Sequence, residues 1–235
     1  MKNAIVIALA LTSFSAAADV ATIPAVGLVH VDAGTPETYF NYLAAVPAFH
    51  YAEGGRWVEH PLLTDGWEDA EIEGTAKVLW SIGSPSPATV DAARARFGVS
   101  PENTKVAAGD AFTVAATLSA NWTAADDVVV AVYAPDDARA RTGAAYAAAV
   151  ASTLNAPLLY TYAAWTPRET KTALARLGVK RVWLVDFGKA CGAARENFAA
   201  YGVNVAAELN GPREVAPLLE ARARHDAAVP GASAI

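Results

Sequence analysis

Cysteine is nearly absent from this chain: Cys191 stands alone, so no disulfide can form within it and its stability must come from packing. Basic charge is also in deficit, with 18 Lys and Arg against 24 Asp and Glu and a formal net charge of -6. A nucleic-acid partner, which wants a basic face, is therefore not expected. The small basic groups Arg139/Arg141, Lys180/Arg181 and Arg222/Arg224 read as solvated positions. No G-x-G-x-x-G or Walker sequence occurs, which argues against a dinucleotide or nucleotide-triphosphate enzyme. No G-x-S-x-G nucleophile turn accompanies His30, His50 or His60. Long apolar runs are missing beyond the N-terminus, so no membrane span is expected after that segment.

The N-terminal segment differs from the rest. Met1-Lys2-Asn3 is a short positive start, Ala4–Phe14 an apolar run, and Ser15-Ala16-Ala17-Ala18 supplies small residues before Asp19. That order is the grammar of a secretory signal over 1–18, with cleavage expected after Ala18 and a secreted or cell-surface protein as the consequence. Beyond it, a 54% hydrophobic and 18% charged composition provides ample core material and argues against global disorder.

The stretch 156–190 organises the chain. Leu158–Tyr162 reads as a buried strand. Thr166-Pro167 with Glu169 reads as an N-cap, a first-turn proline and a capping box opening a helix over Pro167–Leu177. Gly178 closes that helix, and Val179–Phe187 follows as a strand carrying Trp183 as a buried aromatic. Strands that flank a helix in this way run parallel.

The same unit recurs at a spacing of about 100 residues. Val26–Asp32 matches Val128–Ala134; the helical stretches Glu37–Glu53 and Arg139–Leu154 follow them. His60–Thr64 matches Ala156–Tyr160, and Lys77–Gly83 matches Arg181–Gly188, each with a central Trp. The helices Ala88–Phe97 and Ala190–Tyr201 both end in an aromatic followed by Gly-Val, and a last strand and helix close each copy. The expectation is an α/β protein with a first repeat over 24–123, a second over 126–225 and a flexible tail over 226–235. Each repeat is a small parallel sheet with helices on both faces. In the first copy, the acidic run Asp65–Glu73 takes the place of one helix.

Ala156-Pro157-Leu158-Leu159, Leu177-Gly178-Val179-Lys180-Arg181-Val182 and Gly202-Val203-Asn204-Val205 resemble the cell wall-binding repeat 2 family, and Ala107–Ala115 is similar to that family's closing motif. The resemblance implies tandem Rossmann-like units on an exported surface protein. Such units typically come in threes about a pseudo-threefold and anchor non-covalently to anionic wall polymers. This chain shows two repeats, has Gly83-Ser84 and Gly188-Lys189 where the family has paired glycines, and lacks the closing Arg-Tyr.

Open α/β sheets bind ligands at the carboxyl ends of their strands. The candidates there are Ser84 and Ser86, which would present hydroxyls and helix-start amides, and Asp186 and Lys189 in the second copy. Ser86 also reads as a plain helix cap. His30 and Asp32 share a strand face and offer an acid–base pair. Asp126, Asp127, Asp136 and Asp137, and the run Asp65–Glu73, read as solvated acidic faces without ordered calcium-ligand spacing. Asn121-Trp122-Thr123 is an N-glycosylation sequon, and Trp57, Trp67, Trp122 and Trp165 fall in loops or at helix starts, suited to stacking on sugars. No cofactor or metal is expected. The function expected is a non-catalytic, exported surface protein whose repeats bind envelope polymer or assemble with copies of themselves as a homo-oligomer. The alternative is an exported small-ligand-binding protein or hydrolase using the strand-end crevice.

Overall fold

The computed structural model describes residues 22–67, 72, 74–188 and 192–228. The signal-like segment 1–18, the acidic positions Glu68, Asp69, Glu71 and Glu73, and Lys189 and Cys191 lie outside the described residues.

The chain is α/β, built on two four-stranded parallel sheets. In the first unit β1 (Thr22–Val29) is followed by α1 (Pro36–Phe49), the hairpin β2 (His50–Glu53) and β3 (Arg56–Glu59), and β4 (Leu62–Thr64). Then come β5 (Thr75–Ile82), α2 (Pro87–Phe97), β6 (Thr104–Ala107) and α3 (Ala111–Leu118). The second unit runs β7 (Asp127–Val132), α4 (Ala138–Leu154), β8 (Leu158–Thr161), α5 (Arg168–Leu177), β9 (Arg181–Val185), α6 (Gly192–Ala200), β10 (Asn204–Leu209) and α7 (Pro212–Ala228). The sheet orders are β4-β1-β5-β6 and β10-β9-β7-β8. Numbered within its own unit, each sheet is 2-1-3-4, so the sequence repeat is also a repeat of topology. Among the described residues no helix is long and apolar enough to cross a membrane.

The helix boundaries follow from local chemistry. Ser86 accepts a hydrogen bond from the Thr89 amide at 3.1 Å, Pro87 opens α2, and Gly98 at φ 64° closes it. Asp110 caps α3 through the Thr113 amide, and Asp137 caps α4 through the Arg139 amide. The capping box expected at Thr166 and Glu169 does not form. Pro167 takes the cap position of α5 without a side-chain bond, and the Thr166 hydroxyl lies instead 3.3 Å from that of buried Thr161. A helix over Glu37–Glu53 is also corrected. It ends at Phe49, and Gly54-Gly55, at φ 57° and 80°, supplies the two left-handed positions that a two-residue hairpin turn requires. At the C-terminus α7 continues to Ala228, so the chain from Asp226 to that point is helix and not tail.

β1 is buried from Val26 to Val29, and its side chains serve two cores. Val26 and Leu28 join a core closed by Ala93 and Phe97 of α2 and by Trp67, while Val29 joins the main core. β7 is buried from Val128 to Val132, as expected of a central parallel strand covered on both faces. The main core is continuous through both units. α1 packs on α4, α3 packs on β8 and α5, and the fully buried Tyr160 donates its hydroxyl to the Phe40 carbonyl at 2.7 Å. Trp80 is buried, but Trp183, expected as its buried counterpart, is only half-buried, because its indole N–H reaches out to Asp127 Oδ1 at 2.9 Å.

Candidate functional site

The 2-1-3-4 order places a change of crossover direction between the first and third strands of each unit, and ligand crevices open there at the carboxyl ends. In the first unit this is the space between His30–Asp32, after β1, and Gly83-Ser84, after β5. Asp32 does not pair with His30 as expected. Its carboxylate accepts the Gly34 amide at 2.9 Å and the Thr35 hydroxyl at 2.7 Å, which hold it below the usual carboxylate range. His30 Nδ1 lies 2.7 Å from Asp65 Oδ2 instead, an oxygen that also accepts the Val31 amide at 3.1 Å. Asp65 thus leaves the acidic run to orient a histidine ring. Ser84 is exposed at this rim, and Ser86 is engaged as the α2 cap.

The second unit carries a cavity of about 370 Å³ at the ends of β7, β8 and β9. Its lining includes Tyr133, Asp137, Tyr162, Trp165, Asp186 and Gly188. Asp186 is buried and accepts the Gly188 amide at 3.1 Å. A side-chain carbon placed on Gly188 would stand 3.4 Å from Asp186 Oδ1 and 3.9 Å from Asp137 Oδ2, so two carboxylates converge where this residue has none. Asp137 was legible in the sequence only as one member of an acidic group; its cap position before α4 is what aims it here. The four residues singled out by sequence are therefore not one site. Ser84 and Ser86 sit at the first sheet, Asp186 at the second, and Lys189 lies outside the described residues.

The aromatic wall was the part that sequence reasoning missed as a group. Trp165 is 53% exposed, with its ring 4.6 Å from that of Tyr162, which in turn lies 4.7 Å from Phe112 of α3. Tyr133 packs against Phe112 and against Phe40 of α1, each at 4.8 Å. Burial pushes the Tyr133 hydroxyl up to about 12, with the charges of Glu37, Asp110 and Asp136 adding to the effect, so it is a neutral hydrogen-bonding group over the ordinary pH range. The loop bearing Trp165 is pinned. The Tyr162 amide donates to the Trp165 carbonyl at 3.1 Å, and the buried Thr161 hydroxyl donates to the same carbonyl at 3.2 Å.

The other loop tryptophans divide. Trp67 is buried against Phe97, and Trp122 is half-buried with its indole N–H donating to the Asn155 carbonyl at 3.0 Å, which removes both as stacking platforms. Trp57 remains exposed on the β2–β3 hairpin. Asn121 of the sequon is exposed beside a second cavity of about 280 Å³, between the hairpin and Trp122. The acidic positions around β7 separate: Asp126 pairs with Lys180 at 2.8 Å and Asp127 accepts Arg181 Nε at 2.8 Å at one end, while Asp136 and Asp137 stand at the other. Among the described residues no three His, Cys, Asp or Glu side chains are grouped to hold a metal ion.

No protein-family model, curated protein or solved structure matches this chain. The site is therefore read from its own geometry.

Proposed function

We propose that this chain is an exported, non-catalytic surface protein that binds envelope polymer through the strand-end cleft of its second unit. The observation that carries the reading is the 370 Å³ cavity at the end of β7 and β9, bounded by an indole that is half-exposed yet held by a pinned loop. A cavity of this size lies within the range of small-ligand pockets, about 300–1,000 Å³. An aromatic face beside hydroxyl and carboxylate groups suits a sugar ring, which offers C–H bonds to the ring and hydroxyls to the acceptors. The secretory grammar of 1–18 and the tandem units resembling cell wall-binding repeats support the surface location.

The rival reading, a hydrolase or small-ligand protein, draws on one observation: His30 and Asp65 at 2.7 Å in the first crevice form the orienting half of an acid–base pair. The test of the favoured reading is co-sedimentation of the purified chain with isolated envelope polymer from the source cells, alongside Trp165→Ala. Retention of the native chain and a loss of about five- to thirtyfold in affinity for the variant is expected, since removal of a stacking aromatic costs on the order of 1–2 kcal/mol. Equal retention of both proteins would remove the cleft from the reading.

A further inference from the structure

Resting on that reading, we propose that the second-unit cleft selects sugar residues that carry a free, protonated amino group. The family resemblance implies an anionic polymer; the residues around this cleft point the other way. Asp186 Oδ1, which accepts the Gly188 amide, and Asp137 Oδ2 would stand 3.4 and 3.9 Å from a side-chain carbon on Gly188, so the two carboxylates converge on that residue. The other Asp137 oxygen is held by the Arg139 amide at 2.8 Å, which fixes the carboxylate's direction. Glu37, Asp110 and Asp136 all act electrostatically on the Tyr133 hydroxyl at the same wall, so the negative field extends around the cleft and is not confined to two side chains. Arg141 of α4 donates its guanidinium to the Pro135 carbonyl.

The remaining wall fits the same chemistry. The indole of Trp165 and the phenol ring of Tyr162 lie 4.6 Å apart with a 33° tilt, a stepped aromatic surface against which a pyranose ring can lie. Aromatic faces attract cations as well as C–H groups, and the attraction grows when water is excluded. A protonated amine placed toward Gly188 would meet two carboxylates while its ring covers Trp165. A carboxylate or phosphate in that place would meet like charge in a partly desolvated site and be rejected.

Titration calorimetry of the full purified chain with a glucosamine tetramer, its N-acetylated counterpart and polygalacturonate tests this. The amino tetramer is expected to bind at least about tenfold more tightly than the acetylated one, and polygalacturonate not at all. Asp137→Asn keeps a residue type that caps helices well, so α4 is preserved, and it should bring the two tetramers toward equal affinity. Trp165→Ala should weaken both. Equal or tighter binding of the acetylated tetramer, or an unchanged preference in both Asp137→Asn and Asp186→Asn, would overturn the proposal. If neither tetramer binds but envelope polymer is still retained in a Trp165-dependent way, the amino-group selectivity is wrong and the binding function stands. If retention on polymer fails as well, both fall.

Discussion

Tyr133 and Tyr160 join the two units through their rings, and both have hydroxyls that burial holds in the neutral form. Tyr160 is fully buried and is pushed well above the ordinary tyrosine value of 10, while Tyr133 is pushed up to about 12. An unfolded chain releases these protons near pH 10, before the folded chain does. The folded state therefore binds more protons between 10 and about 12, and linkage makes stability fall as pH rises through that window. Their contribution is fully present below 10. Urea unfolding at pH 8, 10 and 11 should show this decline, and Tyr133→Phe, which removes one of the raised tyrosine titrations, should make it shallower. An identical decline in the variant would contradict the burial assigned to the Tyr133 hydroxyl. A different lesson comes from Trp183. Its position in a β-branched strand suggests full burial, yet one hydrogen bond to Asp127, itself fixed by Arg181, draws the indole to the surface. Composition registers the strand and not the partner across it.

At the scale of elements, Ser86 separates a structural role from a binding one. It accepts the Thr89 amide, and its hydroxyl lies 2.8 Å from that of Thr89. Ser86→Ala should cost about 1 kcal/mol of stability, the usual loss for an N-cap. In denaturant melts that shift should appear while envelope-polymer retention stays unchanged. Lost retention with an intact fold would return Ser86 to the site. The parallel strands, α2 and the second unit's helices were legible because proline starts, glycine stops and apolar runs coincide there. The hairpin β2–β3 was not, although Gly54-Gly55 signalled it, because the alanine and aromatic content before it favours helix and overshadowed the turn. Thr166 failed as a cap for a related reason: a buried hydroxyl partner, Thr161, came from the preceding strand and was invisible to local spacing. Of the site, Asp186 was legible from its place at a strand end. The convergence of Asp137 on Gly188 and the contact of Phe112 with Tyr162 depend on how loops from separate elements meet, which spacing along the chain does not encode.

At the scale of the whole molecule, the repeat suggests two bodies joined by a short polar link, whereas the packing joins them through their cores. Phe40 of α1 is fully buried, with its ring 4.8 Å from Tyr133 and 5.3 Å from Tyr160 of the second unit. Arg176 of α5 reaches back to the Ser119 hydroxyl at 2.8 Å and to the Trp122 carbonyl at 3.2 Å. Interfaces between independent domains are usually more polar than this and permit relative motion. Chains longer than about 150 residues often unfold in stages, so single-step unfolding is not the default here. It is nevertheless the outcome expected. The core behind the first sheet is confined to that unit, but β1 contributes Val26 and Leu28 to it and Val29 to the shared core, so neither core opens without disturbing the same strand. Scanning calorimetry should give one peak whose van't Hoff and calorimetric enthalpies agree. Tyr160→Ala, which empties the junction and removes the partner of the Phe40 carbonyl, should lower that peak by the effect of about 3–5 kcal/mol typical of a large buried aromatic. It should leave the peak single if the junction is only weakened, because α1, α3, α4 and β8 still share the remaining core. Two resolved peaks in the native chain would mean that the units fold separately and that the aromatic junction, together with the cleft wall it supports, is a contact formed after each has folded.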